Sequence, residues 1–132
     1  NIGMLRVKAL SFTMNKLKYL PSSIASIRTL ERIELAGNEF ETFPEILLTM
    51  PSLKYIDISS NSIRTFSDVG LPVKLLRESN VELLYVAYNQ LASFPLEVLK
   101  MSKLRYVDIS HNKFSHIPDT IRNAARFEIR ID

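Results

Sequence analysis

The segment Tyr106–Asn112 reads YVDISHN, and a close copy, YIDISSN, occupies Tyr55–Asn61. Alignment of the chain on the last residue of this segment brings four more asparagines into the same frame, namely Asn15, Asn38, Asn61 and Asn89. The gaps between successive asparagines are 23, 23, 28 and 23 residues. A nearly constant period of this length predicts a stack of similar structural units.

The asparagines share an apolar frame. Apolar residues stand eight, five and three positions before each one and two positions after it, which gives the pattern L-x-x-L-x-L-x-x-N-x-L in five copies that begin near residues 7, 30, 53, 81 and 104. Because apolar and polar residues alternate ahead of the asparagine, we predict a short strand with one buried face in each unit. Strands of successive units would lie parallel, about 4.8 Å apart, so that equivalent residues form columns.

Each asparagine follows a predicted strand, at the point where the chain turns away from the sheet. Its side-chain amide offers both a donor and an acceptor, so it can satisfy backbone groups of a buried turn. We therefore predict a structural ladder formed by Asn15, Asn38, Asn61, Asn89 and Asn112.

The second half of each unit has a helical signature. Proline stands six residues after four of the asparagines, at Pro21, Pro44, Pro95 and Pro118. Proline suits a bend that opens a short helical turn. Apolar residues then recur at every third position, as in Ile24, Ile27 and Leu30. This period predicts short 3₁₀ or irregular helical segments behind the sheet.

The unit with the 28-residue gap departs from this pattern. Pro72, Leu75 and Val81 match the helical positions of the other units, but the polar residue Glu78 occupies a position that is apolar elsewhere. The match predicts that five additional residues lie between Ile63 and Leu71. Such an insertion falls on the rim after the strand, where loops of variable length and binding features both occur.

Both ends of the chain contain incomplete units. Met4 stands three residues before Val7, as Met101 does before Leu104, so the chain is expected to open inside an earlier repeat. At the other end, strict register requires apolar residues where Arg130 and Asp132 stand. The last strand is therefore expected to be shifted by one residue or to begin a cap. We predict a single repeat domain over residues 1–132, taken from a longer array.

Composition limits the setting of the protein. The chain has no cysteine, which excludes disulfides and favours the cytoplasm, with the nucleus as an alternative. Its apolar runs are shorter than the roughly 20 residues that span a bilayer, so we expect no membrane insertion. A net charge of +3 is too small to require an acidic partner.

The repeated motif, its 23-residue period and the proline-based second half resemble the leucine-rich-repeat superfamily, and more narrowly its intracellular class of Ras-suppressor, scribble and erbin type proteins. The resemblance implies an α/β solenoid, a right-handed arc with a parallel β-sheet on the concave face and short helical or 3₁₀ turns on the convex face. It also implies a non-catalytic scaffold for protein–protein interaction. Similar repeats accompany kinase, GTPase and phosphatase domains, so a regulatory or targeting module of a larger signalling enzyme is the alternative.

Strand positions that point away from the core form the candidate binding surface. Four of the five tyrosines fall on these positions, and tyrosine supplies large, rigid contact area with a hydroxyl group for orientation. The alternative explanation for these tyrosines is that tyrosine favours β-strands in general. We predict that a partner protein contacts Arg32, Glu34, Tyr55, Asp57, Leu83, Tyr85, Tyr88, Tyr106, Asp108 and His111.

Other chemistries receive little support. Asp108, Ser110 and His111 contain the residue types of a hydrolytic triad, but adjacent strand residues place the imidazole poorly, and Asp57 and Ser59 occupy the same positions one unit earlier. We therefore expect no enzymatic activity, cofactor or small-molecule substrate. No histidine accompanies the carboxylates of one column, which disfavours a metal site. Charges on the sheet nearly cancel, which disfavours nucleic acid as a partner.

Overall fold

A computed structural model describes residues 6–66, 70–114 and 116–131 of the chain. Met4 and Asp132, which entered the predictions for the two ends, lie outside these ranges. Six strands form one parallel sheet in sequence order. The strands are β1 (Ala9–Ser11), β2 (Arg32–Glu34), β3 (Tyr55–Asp57), β4 (Leu83–Tyr85), β5 (Tyr106–Asp108) and β6 (Glu128–Arg130).

The strands are short because only three residues of each unit alternate in and out of the sheet. The middle residue of each strand points into the core, and four consecutive middle residues are completely buried in one column, namely Ile33, Ile56, Leu84 and Val107. Their flanking residues point to the opposite face. The columns predicted from the repeat are thereby confirmed, and together with the helical segments they form a solenoid arc.

Five helical segments back the sheet in the described ranges, and each begins directly after a proline. Three are 3₁₀ segments, at Ser22–Ser26, Glu45–Thr49 and Leu96–Lys100. Two are α-helices, α1 (Val73–Glu78) and α2 (Asp119–Ala124). The proline supplies the extended backbone ahead of each segment without leaving an unsatisfied N–H group. The three-residue period therefore predicted the three 3₁₀ segments correctly.

The α1 helix corrects one assignment. Its backbone closes an α-type hydrogen bond from Leu76 N to Pro72 O at 3.2 Å. With 3.6 residues per turn, Leu76 rather than Leu75 becomes the fully buried side chain, with 2% of its surface exposed. Glu78 lies on the exposed side of the same helix, so its polarity carries no burial cost.

The insertion lies later in the long unit than the sequence alone could establish. The rings of Phe43 and Phe66 stack with centroids 4.8 Å apart, and a parallel bridge joins Thr42 to Thr65. Regular register therefore continues through Phe66, which is buried like its counterpart. The additional residues fall between Phe66 and Pro72, and residues 67–69 lie outside the described ranges.

The last strand is shifted by one residue. Val107 pairs with Ile129, which lies 22 residues later, whereas Leu84 pairs with Val107 at a distance of 23 residues. The shift keeps Ile129 in the inward column and leaves Glu128 and Arg130 pointing to the opposite face. In the described part of the chain, no helix is long and apolar enough to cross a membrane.

Candidate protein-binding face

The concave face is the side of the sheet opposite the helical segments. Strand pairing gathers the predicted contact residues there in two columns. One column contains Arg32, Tyr55, Leu83 and Tyr106. The other contains Glu34, Asp57, Tyr85 and Asp108. Residues that are far apart in sequence thus become nearest neighbours because each repeat contributes one short strand.

Three tyrosines form a continuous row across β3, β4 and β5, which we call the tyrosine row. The ring centroids of Tyr55 and Tyr85 are 5.2 Å apart, and those of Tyr85 and Tyr106 are 5.6 Å apart. The ring planes are inclined by 39° and 53°, within the range of favourable aromatic pairs. All three side chains are half-buried. The row therefore holds its rings in a fixed order before any partner arrives.

An arginine packs against Tyr55, at the β3 end of the tyrosine row. The guanidinium carbon of Arg32 lies 3.7 Å from the centroid of the Tyr55 ring, a cation–π contact. Glu34 Oε2 accepts hydrogen bonds from Arg32 Nε at 3.0 Å and Nη2 at 2.6 Å. The hydrogen bond to Glu34 raises the pKa of Arg32. Burial raises the pKa of Tyr55, while the positive charge of Arg32 partly opposes that shift.

The second end of the row meets the last strand. Burial raises the pKa of Tyr106 and the carboxylate of Asp108 adds to the shift, whereas a hydrogen bond and positive charge from Arg130 oppose it. Arg130 was not among the predicted contact residues. Its place in the sheet depends on the one-residue shift of β6, which the alternating residues 127–132 indicated without fixing.

Tyr88 and His111 form a separate stack at the ends of two neighbouring strands. Their ring centroids are 4.1 Å apart and the planes are inclined by only 9°. Tyr88 is 58% exposed, and His111 is also exposed. Both residues directly precede a ladder asparagine and have left-handed backbone angles, with φ of 57° and 56°. The two rings therefore form an exposed aromatic surface at the turns that follow β4 and β5.

Asp108 and Leu83 offer less surface than the sequence suggested. Asp108 is only 8% exposed, because its Oδ1 accepts hydrogen bonds from Ser110 N at 3.0 Å and Ser110 Oγ at 2.6 Å. Asp108 therefore lies in the predicted column of the face but offers little surface to a partner, and its role as a contact stays a prediction. Leu83 is partly buried between its column neighbours rather than exposed. Asp57 remains half-exposed, and its Oδ1 accepts the Ser59 backbone N–H at 3.0 Å.

The same contacts separate the residue types of the hydrolytic triad. The hydroxyl group of Ser110 donates to Asp108, while the imidazole of His111 stacks on Tyr88. The described residues contain no group of three or more His, Cys, Asp or Glu side chains that could hold a metal ion. The arrangement presents aromatic rings, hydroxyl groups and charges on one face of the sheet.

The asparagine ladder fixes the backbone beneath this face. In four consecutive units the asparagine Oδ1 accepts the backbone N–H of the preceding unit at 2.9–3.0 Å, in the pairs Leu17–Asn38, Phe40–Asn61, Ile63–Asn89 and Leu91–Asn112. Each of these asparagines also donates from Nδ2 to a carbonyl of the preceding unit. Among the described residues, Asn15 donates to Phe12 O and Thr13 O within its own turn, and it is exposed.

Comparison with known proteins agrees with this geometry. Residues 103–124 match the family model of the Leucine Rich Repeat. A leucine-rich-repeat protein of Leptospira interrogans has a similar structure, with a TM-score of 0.74 and 24% identity over 96% of this chain and 31% of its own. The functional domain of InlJ from Listeria monocytogenes, which includes a cysteine ladder, has a TM-score of 0.65 and 17% identity over 97% of this chain and 25% of its own.

The chain therefore has the leucine-rich-repeat fold. It spans no more than about a third of the length of either similar structure. No curated protein matches the chain in a sequence search. The narrower 23-residue intracellular class stays a prediction from the repeat length and the proline pattern.

Proposed function

We propose that the chain is a non-catalytic protein-binding module whose partner docks on the concave face. The leucine-rich-repeat fold is generally a protein–protein interaction module, and the two similar structures share that fold. The observation that carries the proposal is the pre-ordered tyrosine row with the exposed Tyr88–His111 stack beside it. Ordered aromatic side chains lose little conformational entropy on binding, which is why tyrosine is frequent among dominant interface residues.

The charge pattern of the face suits a protein better than a nucleic acid. Carboxylates pair with two arginines at the sheet, with Arg32 bound to Glu34 and Arg105 Nη1 lying 3.7 Å from Glu82 Oε1. A nucleic-acid groove instead offers a continuous row of cations to the phosphates. The aromatic rings with mixed charges around them resemble the centre and rim of a protein interface.

The test is a pair of matched substitutions measured against a partner isolated with the intact chain. Tyr88→Ala removes an exposed ring from the face, and we expect the dissociation constant to rise by about tenfold or more. Tyr19→Ala removes a ring that is 78% exposed but lies outside the sheet, and should leave the dissociation constant unchanged. Equal effects of the two substitutions would place the binding surface elsewhere.

The wider setting of the module remains open to experiment. A cytoplasmic location and a place beside a signalling enzyme stay predictions, because neither depends on the described residues. Cell fractionation with an antibody to the chain would check the first.

A further inference from the structure

A second candidate site lies behind the sheet, away from the concave face. A cleft of ≈ 510 Å³ opens beside α1, the Leu96–Lys100 segment and α2. Small-ligand sites typically have volumes of roughly 300–1,000 Å³. The buried side chains of Met101 and Leu104, with half-buried Phe127, form its apolar lining. Its charged lining residues are Arg77, Lys100 and Arg126.

The charge in this cleft is one-sided. Its lining contains three cationic side chains and no carboxylate among the described residues. Three arginines outside the cleft, Arg32, Arg64 and Arg105, each lie within 4.0 Å of a glutamate oxygen. Within the described ranges, Arg77, Lys100 and Arg126 take part in no salt bridge. The cleft therefore concentrates positive charge that the protein itself does not neutralise.

The accumulation follows from the repeat architecture. Two of the three cations stand in the last turn of a helical segment, Arg77 in α1 and Lys100 in Leu96–Lys100, and Arg126 lies two residues after the end of α2. A single cation at a helix end is explained by the partial negative charge of the terminal carbonyls. The cleft lining thus receives one cation from each of three successive units, namely Arg77, Lys100 and Arg126.

The backbone around the cleft is held in place by contacts between units. Ser102 Oγ donates a hydrogen bond to the carbonyl oxygen of Arg77 at 2.7 Å, which ties the loop before β5 to the end of α1. Lys103 Nζ donates to Asn80 Oδ1 in the adjacent position. The cationic residues thus project from an anchored rim.

We propose that this cleft binds a small ligand that carries two or more phosphate charges. A phosphate group accepts several hydrogen bonds at once, and the guanidinium groups of Arg77 and Arg126 match its geometry. The apolar floor gives room for the organic part of such a ligand. Phosphate chemistry of this kind occurs in soluble organic phosphates and in phospholipid headgroups. The site is separate from the concave face, so it does not depend on the proposed protein-binding function.

Isothermal titration of the chain with pyrophosphate tests the site directly. We expect saturable binding that weakens by about tenfold for Arg77→Gln and again for Arg126→Gln, because each substitution removes charge-assisted hydrogen bonds. The matched control is Arg28→Gln, which removes the same charge from an exposed position outside the cleft. Thermal melts of all three variants should coincide with that of the parent chain.

A second arm separates the two sources of phosphate. The chain is sedimented with phosphatidylcholine vesicles that either contain or lack phosphatidic acid. Binding to the phosphatidic acid vesicles alone, with loss of that binding in Arg77→Gln, indicates a headgroup ligand. Saturable pyrophosphate binding without vesicle binding supports a soluble ligand. Absence of both, or an equal loss of binding for Arg28→Gln and Arg77→Gln, would overturn the proposal.

Discussion

The residue before each ladder asparagine carries a constrained backbone. Four residues other than glycine have left-handed φ angles there, namely Met14, Ser60, Tyr88 and His111, and the equivalent Gly37 has φ of 73°. A residue with a Cβ atom pays about 1–2 kcal/mol for this conformation. The turn has the left-handed angle in five successive units, so any residue other than glycine at this position lowers the stability of the fold.

Substitution at this position should change stability in opposite directions. Ser60→Gly relieves the left-handed strain and is expected to raise the free energy of unfolding by about 1 kcal/mol. Gly37→Ala introduces the strain, and its Cβ would also meet the side chain of Met14. It should lower the free energy of unfolding by at least the same amount. Urea denaturation measures both, and Ser60→Ala serves as the control that leaves the strain in place.

The ladder asparagines allow a second prediction at the same scale. Asn112→Ala removes an acceptor from Leu91 N and a donor to Val86 O, and should cost about 1–3 kcal/mol of unfolding free energy. Asn15→Ala removes the two hydrogen bonds within its exposed turn, to Phe12 O and Thr13 O, so its cost should be clearly smaller. Equal losses in thermal or urea unfolding would contradict a ladder that acts between units.

At the scale of elements, the tyrosine row is expected to make the free energy of unfolding vary with pH in the alkaline range. The pKa values of Tyr55 and Tyr106 are raised in the folded chain. Their stabilising contribution is complete below the ordinary tyrosine pKa of about 10, and it is lost as pH rises through the raised values, because the unfolded phenols ionise first. We expect the free energy of unfolding to fall over this window.

Ultraviolet absorbance of tyrosinate checks this expectation. The folded chain should show a late-titrating component that is absent in urea and absent from a Tyr55→Phe/Tyr106→Phe variant. That variant should also lose part of the pH dependence of its unfolding. Persistence of the late component in the variant would assign the raised pKa values to other tyrosines.

The elements also show which parts of the fold could be predicted. The strands followed from the alternation around Ile56 and its equivalents, because a period of two allows only one inward set. The α-helical character of α1 did not follow, since periods of 3 and 3.6 place apolar residues at nearly the same positions over six residues. The choice of Leu76 over Leu75 depends on that small difference in winding. The burial of Asp108 depends on a hydrogen bond to Ser110, which repeat spacing does not reveal.

On the scale of the whole molecule, the two faces carry different chemistry. At the concave face, Arg32 and Arg105 pair with carboxylates near a row of rings, whereas the opposite side gathers cations without salt bridges in its later units. The small net charge of +3 conceals this separation.

The columns of the sheet could be predicted because each strand has a fixed register. The cationic cleft could not, because it forms between helical segments whose ends the sequence locates only approximately. The last-turn residues Arg77 and Lys100 are its visible signal in the sequence.

The ladder has a consequence for how such a chain can change over generations. The bond from Ile63 N to Asn89 spans 26 residues, whereas the equivalent bonds elsewhere span 21, so the five-residue insertion leaves the ladder unbroken. Each asparagine requires only an amide and a carbonyl from its neighbour, and every unit supplies both whatever its side chains are. Whole units can therefore be duplicated, deleted or lengthened without redesign of the junction, and mutation is free to explore the residues displayed on either face.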